Sequence, residues 1–309
     1  MYTTDEQTLL RNCTLCPREC HVDRFAAGNG YCKTDAGMNI VSICVHKGEE
    51  PSICGSDGIC NIFFSGCNLK CKYCQNYEIS WDRSKITSNF ISLNEALSAI
   101  EKILLQGVTT VGFVSPMHVV PQVKAIIRGL NDRGLKPTTV YNTNGYEKSE
   151  TIDSLNGIID VWLCDYKYTD SNLASMFSDA PDYPEIALKA LKRMYFQKGS
   201  ALQTDEQGKA TEGLIIRHLV LPGYVDESKK VLKSISEELS TGVHVSLMSQ
   251  YTPTSLVGGC ENLGRPLRKD EYDSVVNEME ALGFRNGCVQ DLESRFNYMP
   301  EFRRSNPFE

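Results

Sequence analysis

The chain of 309 residues contains no run of 18 apolar residues, so no segment reads as a membrane-spanning helix. It also lacks a basic block. Its 32 Lys and Arg are scattered among 39 Asp and Glu, for a formal net charge of −7, and nucleic acid is not expected as an obligate partner. The opening residues, MYTTDEQTLLRNC, lack the basic-then-apolar order of an export signal, so a cytoplasmic protein is expected. Internal repeats and low-complexity tracts are absent. Histidine is scarce, five in all, and no His or carboxylate group clusters as a water-activating zinc would require. A zinc hydrolase or nuclease is disfavoured on that ground.

Cysteine is abundant instead. There are 13, and ten lie between positions 13 and 74: Cys13, Cys16, Cys20, Cys32, Cys44, Cys54, Cys60, Cys67, Cys71 and Cys74. The count is odd and no export signal accompanies it. Disulfides are disfavoured in a reducing compartment, so metal or redox roles come forward.

Residues 1–58 are turn-rich and short of long periodic segments. They read as a small lobe with a thin apolar core, held together partly by metal. Residues 59–290 alternate between short apolar runs and helical patterns. Strands are expected at 59–64, 109–114, 138–143, 158–166, 214–221 and 243–251, with a short one at 284–290. Helices are expected at 92–106, 119–133, 147–156, 184–198, 226–240 and 268–282. Six or so βα units with strands apolar on both faces imply a parallel sheet covered by helices. A closed barrel needs eight units, so the expected fold is α/β, a partial (β/α)6 TIM-like barrel behind a cysteine-rich N-terminal lobe. The polar stretch 199–213 reads as a surface excursion, and 291–309 as a C-terminal tail.

The most specific motif is FFSGCNLKCKYCQN, directly after the first expected strand. Its spacing is Cys67-x3-Cys71-x2-Cys74. Three thiolates in eight residues can wrap one cubane, one fewer than a closed [4Fe-4S] site uses. One iron then keeps a free position, able to take the amino and carboxylate groups of a methionine-type ligand and pass an electron to its sulfonium. The competing reading is a structural zinc loop completed by a fourth ligand such as Cys60, in a non-catalytic zinc-stabilised binding module.

This loop, followed by QN, resembles the radical S-adenosylmethionine superfamily. The phrases CPRECHVDR, GYC, HKGEEP, CNLKCKYCQNYEIS, YNTNGY and LMSQYTP carry the resemblance along nearly the whole chain. They resemble the pyruvate formate-lyase activating enzyme-like branch, in a subgroup with an extra cysteine-bearing N-terminus. The resemblance implies a [4Fe-4S] cluster on Cys67, Cys71 and Cys74, with S-adenosyl-L-methionine as co-substrate. It implies that Tyr73 packs on the adenine and that flavodoxin or ferredoxin supplies electrons. The implied reaction is hydrogen abstraction from a glycyl-radical enzyme, or from a peptide or small molecule, with an oxidoreductase classification. One departure stands out. Many members carry a Gly-Gly-Glu-Pro-like turn after the second strand, where this chain has GFVSPMHVVP, with Ser115 and Pro116 at its end. Backbone carbonyls can still receive an ammonium there.

Cys13-x2-Cys16-x3-Cys20-x11-Cys32 forms a natural four-thiolate set. Structural zinc or an auxiliary iron-sulfur cluster would suit it. Cys44, Cys54 and Cys60 could replace members of the set, and His46 is a lone histidine of either surface or ligand type.

Ligands collect at the carboxyl ends of parallel strands, which selects further candidates. Asn142 and Asn144 suit cofactor ribose or carboxylate contacts, or simply the NTNG turn. Asp165 and Lys167 would share one face and could pair with each other or hold cofactor or substrate. Arg217 within an apolar strand needs a carboxylate, from the protein or the cofactor. Gln250, Tyr251 and His118 are candidate substrate contacts, and His218 should face away into packing. Glu49 and Glu50 would either reach over the barrel mouth or be solvated.

Overall fold

A computed structural model describes residues 1–26, 30–81, 92–293, 300–304 and 306–308. Of the expected C-terminal tail, residues 294–299, 305 and 309 therefore lie outside the described residues.

The described strands are β1 (Ile40–His46), β2 (Ile59–Phe64), β3 (Thr110–Val114), β4 (Thr138–Thr143), β5 (Val161–Asp165), β6 (Gln203–Thr204), β7 (Ala210–Leu219), β8 (His244–Met248) and β9 (Gly287–Val289). The sheet runs β1-β2-β3-β4-β5-β7-β8-β9, with β6 paired to β7. From β2 to β9 every neighbour in this order is parallel, while β1 lies antiparallel to β2. The edge strands β1 and β9 are not paired with each other, so the barrel-like sheet is open between them.

Parallel strands need covering on both faces, and the sequence supplies apolar runs to match. All six residues of β2 and all five of β3 are buried. The crossover helices include Leu93–Leu104, Val120–Asp132, Tyr183–Lys198, Val225–Glu238 and Lys269–Ala281. Leu93–Leu104 begins with a reciprocal cap between Ser92 and Glu95 and buries Ala96, Leu97 and Ile100 along one stripe. One continuous core joins strand residues such as Phe113, Tyr141, Trp162 and Leu247 to these helices.

Three differences from the sequence reading have physical causes. β1 lies inside the segment read as the N-terminal lobe, yet it is hydrogen-bonded into the main sheet. Its apolar run IVSICVH sits among turn-rich residues, so no helix periodicity beside it announced a βα unit. The excursion at 199–213 is partly a hairpin, in which Gln203–Thr204 pairs with the polar start of β7. The helices Thr4–Arg11 and Ser171–Ser178 span only eight residues each, too short to declare a period.

The N-terminal lobe packs directly on the cysteine loop. Arg18 Nε donates to the Asn68 carbonyl at 2.9 Å, and Arg128 bonds Glu6 at 2.8 Å. Gly66, with φ of 81°, stands where an added Cβ would collide with the carbonyl oxygen of Cys32. Gly66→Ala should therefore destabilise the protein by about 1–3 kcal/mol. Gly259, with no atom within 4 Å of an added Cβ, should tolerate alanine within about 0.5 kcal/mol. Urea denaturation of the two variants checks both.

Candidate active site

β2 delivers the cysteine loop to the carboxyl end of the sheet through the turn at Ser65–Gly66. Each of the three sulfurs meets hydrogen-bonding groups. Cys67 Sγ accepts from Leu69 N at 3.4 Å and from Asn144 Nδ2 at 3.5 Å. Cys71 Sγ accepts from Ser178 Oγ at 3.0 Å, and Cys74 Sγ lies 3.4 Å from Ser80 Oγ. Burial pushes all three thiols up, Cys74 to about 12, because the interior disfavours the thiolate; for Cys71 the nearby Lys167 works in the opposite direction. A metal cluster that takes these sulfurs must displace their protons.

A buried amide relay holds the loop. Asn68 Nδ2 donates to the Tyr146 carbonyl at 2.7 Å, Asn144 Nδ2 donates to Asn68 Oδ1 at 2.9 Å, and Tyr146 N donates to Asn144 Oδ1 at 2.9 Å. Asn144 thus spends its amide on the cysteine loop itself.

A cavity of about 660 Å³ opens beside the loop. Cys67, Cys71 and Cys74 line it, together with Tyr73, Ser115, Asn142, Asn144, Asp165, Lys167, Arg217 and Gln250. Asp165, Arg217, Ser246 and Cys288 are neighbours across β5, β7, β8 and β9 and all face this cavity. Arg217 Nε donates to Asp165 Oδ1 at 2.8 Å, Nη1 reaches Glu49 Oε2 at 3.4 Å, and Nη2 donates to Asn142 Oδ1 at 2.7 Å. Lys167 Nζ donates to the other Asp165 oxygen at 2.6 Å. The carboxylate that Arg217 needs thus comes from the protein. Burial would raise the Asp165 pKa, but Arg217 and then Lys167 outweigh it and hold the carboxyl below its usual range. Burial raises Glu50 instead, against the pull of Arg217.

Tyr73 is buried, with its hydroxyl on that of Tyr168 and its ring 6.3 Å from that of Tyr251. Ser115 adopts a φ of 50°, a left-handed conformation that favours glycine, and its N–H donates to the Asn142 carbonyl at 2.8 Å. Gln250 accepts from Gln290 Nε2 at 3.0 Å, and its carbonyl accepts from Gln75 at 2.8 Å. Glu49 and Glu50 both line the cavity. His118 and Tyr251 do not: His118 is buried against the Ser65 carbonyl at 2.9 Å, and Tyr251 donates to the Leu263 carbonyl. His218 is buried between the Tyr166 carbonyl and Ser228 Oγ, and burial lowers its pKa to about 4.

Several further residues line the cavity, among them His46 and Cys54, which the sequence offered only as possible metal ligands. His46 at the end of β1 packs on Phe308 with ring centroids 4.1 Å apart and planes tilted by 42°, and both reach the cavity. Ser246, Met248, Cys54 and Cys288 line it as well. Ser246 and Met248 could be found by extending the two-residue period of β8.

The N-terminal cysteines Cys13, Cys16, Cys20 and Cys32 gather around a second, much smaller cavity of about 10 Å³. Cys44 and Cys60 lie elsewhere, across from Asn61 and Val45 in the β1–β2 pair. Among the described residues, no three His, Cys, Asp or Glu side chains already close on one point as a metal-ion site. For the loop at 67–74 this is no obstacle. The sulfurs of a cubane bind different irons and stand apart around the cluster rather than around one ion. Three donor-supported sulfurs facing a roomy cavity fit such a group.

Residues 53–177 match the family model of a 4Fe-4S single cluster domain. That stretch contains the Cys67–Cys74 loop and strands β2 to β5. The chain is 29% identical over 279 residues to an uncharacterized protein of Methanocaldococcus jannaschii, covering 89% of this chain and 76% of the relative. It is similar in structure to a domain of pyruvate-formate lyase-activating enzyme from Bacteroides vulgatus, at 15% identity and a TM-score of 0.39, over 56% of this chain and 93% of that one. It is also similar to SuiB of Streptococcus suis, at 15% identity and a TM-score of 0.48, over 74% of this chain and 47% of that one. Among the described residues no helix is long and apolar enough to cross a membrane.

Removing one partner of a buried ion pair leaves the other uncompensated. Asp165→Ala should therefore cost about 3–5 kcal/mol in chemical denaturation at neutral pH. Because the native Asp165 pKa is depressed, its stabilisation is complete above the unfolded value of about 3.9 and is lost as pH falls through the lower native value. The stability gap between wild type and Asp165→Ala should close along that acid limb.

Proposed function

We propose that this protein is a radical S-adenosylmethionine enzyme, an oxidoreductase of the activating-enzyme-like kind. The observation that carries the reading is the Cys67-x3-Cys71-x2-Cys74 loop at the carboxyl end of β2, its three sulfurs opening on a cavity of about 660 Å³. The match of residues 53–177 to a 4Fe-4S single cluster domain supports it. Held by Cys67, Cys71 and Cys74, the cluster would supply the electron for reductive cleavage of S-adenosylmethionine to methionine and a 5'-deoxyadenosyl radical, which would take a hydrogen atom from the substrate.

The chain's own residues have separable tasks. Cys67, Cys71 and Cys74 ligate, and Leu69 N, Asn144, Ser178 and Ser80 support their sulfurs. Hydrogen bonds to the sulfurs raise the reduction potential and ease electron entry from a flavodoxin or ferredoxin. Asp165, Lys167, Arg217, Asn142 and Glu49 place both signs of charge along one wall. That suits a co-substrate bearing an ammonium and a carboxylate. Ser115 presents turn backbone at the mouth of β3 in a left-handed conformation, and Tyr73 and Gln250 complete the lining beside the loop. The hydrogen donor in this reading is a glycyl-radical enzyme or, alternatively, a peptide or small molecule.

Anaerobic reconstitution should load about four irons and four sulfides on the loop. Reduction with dithionite in the presence of S-adenosylmethionine should release 5'-deoxyadenosine, and Cys71→Ala should abolish both cluster and product. A fully loaded, reduced protein that releases no 5'-deoxyadenosine would overturn the proposal.

A further inference from the structure

The second cavity is bounded by Cys13, Cys16, Cys20 and Cys32 and also by Arg24, Thr34 and Gly30. Arg24 is 1% exposed. Its Nη1 meets the His118 carbonyl, and its Nη2 meets Thr34 Oγ1 at 2.5 Å and the Asp35 carbonyl at 2.9 Å. Its Nε is buried without a hydrogen-bond partner, and among the described residues no carboxylate pairs with this guanidinium. All its acceptors are neutral. A buried cation without a counter-charge is costly, and four protonated thiols supply none.

The missing charge is available from the cysteines. Thr34 Oγ1 accepts from Arg24 and lies 3.0 Å from Cys32 Sγ, so one hydroxyl joins the guanidinium to the thiol set. Tyr31 N donates to Cys20 Sγ at 3.3 Å. A Cβ on Gly30 would stand 3.3 Å from the same sulfur, so the backbone cradles it closely. Two of the four sulfurs thus already lie against polar groups of the lobe.

We infer that Cys13, Cys16, Cys20 and Cys32 bind a single divalent, zinc-like ion as a tetrathiolate, with Arg24 as its buried counter-cation. Size favours one ion over a second cluster. The cavity of about 10 Å³ matches roughly one water-sized sphere. A cubane of eight heavy atoms does not fit, in contrast to the cavity at Cys67–Cys74. Binding exchanges four protons for one ion: M²⁺ and four thiols give a tetrathiolate of net charge −2 and four H⁺, with no change of oxidation state. The sulfurs do not yet close on one point among the described residues. Each cysteine turns about a single side-chain torsion, so rotation around the shared cavity completes the site.

The test uses the full chain carrying Cys67→Ala, Cys71→Ala and Cys74→Ala together, which removes the proposed cluster site and leaves the lobe intact. Purified from zinc-supplemented cells, it should hold one zinc per chain by elemental analysis. Cobalt(II) added to the metal-free form should give one equivalent of tetrahedral, thiolate-bound absorption. X-ray absorption should show four sulfurs at about 2.3 Å. Cys20→Ser in the same background should lose the ion. Arg24→Met should weaken zinc in chelator competition by about 10–100-fold, with Arg24→Lys recovering part of the loss. Absence of stoichiometric zinc and cobalt, iron with sulfide in place of zinc, a disulfide between these cysteines, or undiminished binding after Arg24→Met would overturn the inference. None of these outcomes depends on cleavage of S-adenosylmethionine, so the reading of the larger cavity stands or falls separately.

Discussion

The rest of the site depends on one buried amide relay. Asn68, fully buried, donates to the Tyr146 carbonyl and accepts from Asn144, whose own oxygen takes the Tyr146 N–H. The relay ties the loop after β2 to the loop after β4, and Asn144 passes a further donor to Cys67. Buried amides of this kind are costly unless every group is met. Here the groups meet one another, and the cost of an unmade bond keeps the cysteine loop in a single place. Arg18 extends the constraint to the N-terminal lobe by holding the Asn68 carbonyl. A lobe that would otherwise be an appendage is thereby packed against the residues that would bind a cluster.

Two guanidinium groups, Arg217 part-buried and Arg24 fully buried, divide the molecule electrostatically. Arg217 sits among Asp165, Glu49 and Asn142, and Lys167 shares Asp165, so the wall of the large cavity is compensated within the protein. Arg24 lies beside the four N-terminal thiols and touches only neutral oxygens. The same physical rule, that a buried charge needs a partner, reads the first as a finished network and the second as one that a ligand completes. Cavity size separates the two centres in the same sense, about 660 Å³ against about 10 Å³.

Much of the fold was legible because parallel strands announce themselves by apolar runs. The runs ICNIFF and TTVYNT mark β2 and β4 to the residue, and the crossover helices fall within a few residues of their 3.6-residue pattern. β1 was not legible. It joins the sheet only by antiparallel pairing with β2, and the helix that follows it, Pro51–Cys54, is too short to show a period. The hairpin at β6 escaped notice because its residues are polar and exposed. In the site, the spacing of Cys67, Cys71 and Cys74 is local and could be read directly. Asn144 could be singled out but not assigned, since its partners lie 76 and 77 residues away.

The sequence by itself determined an α/β chain with six or so parallel-strand units, a three-cysteine loop after the first of them and a four-cysteine set before it. It also required that Arg217 have a counter-charge, because an arginine inside an apolar strand is buried on one face or the other. Only the tertiary structure decided which groups answer. Asp165 and Glu49 reach Arg217 from 52 and 168 residues away, and Arg24 arrives beside the N-terminal thiols without a carboxylate. Spacing along a chain sets which ligands can share an ion or a cluster. Charge compensation and cavity volume are sums over residues distant in sequence, so they exist only once the chain has folded.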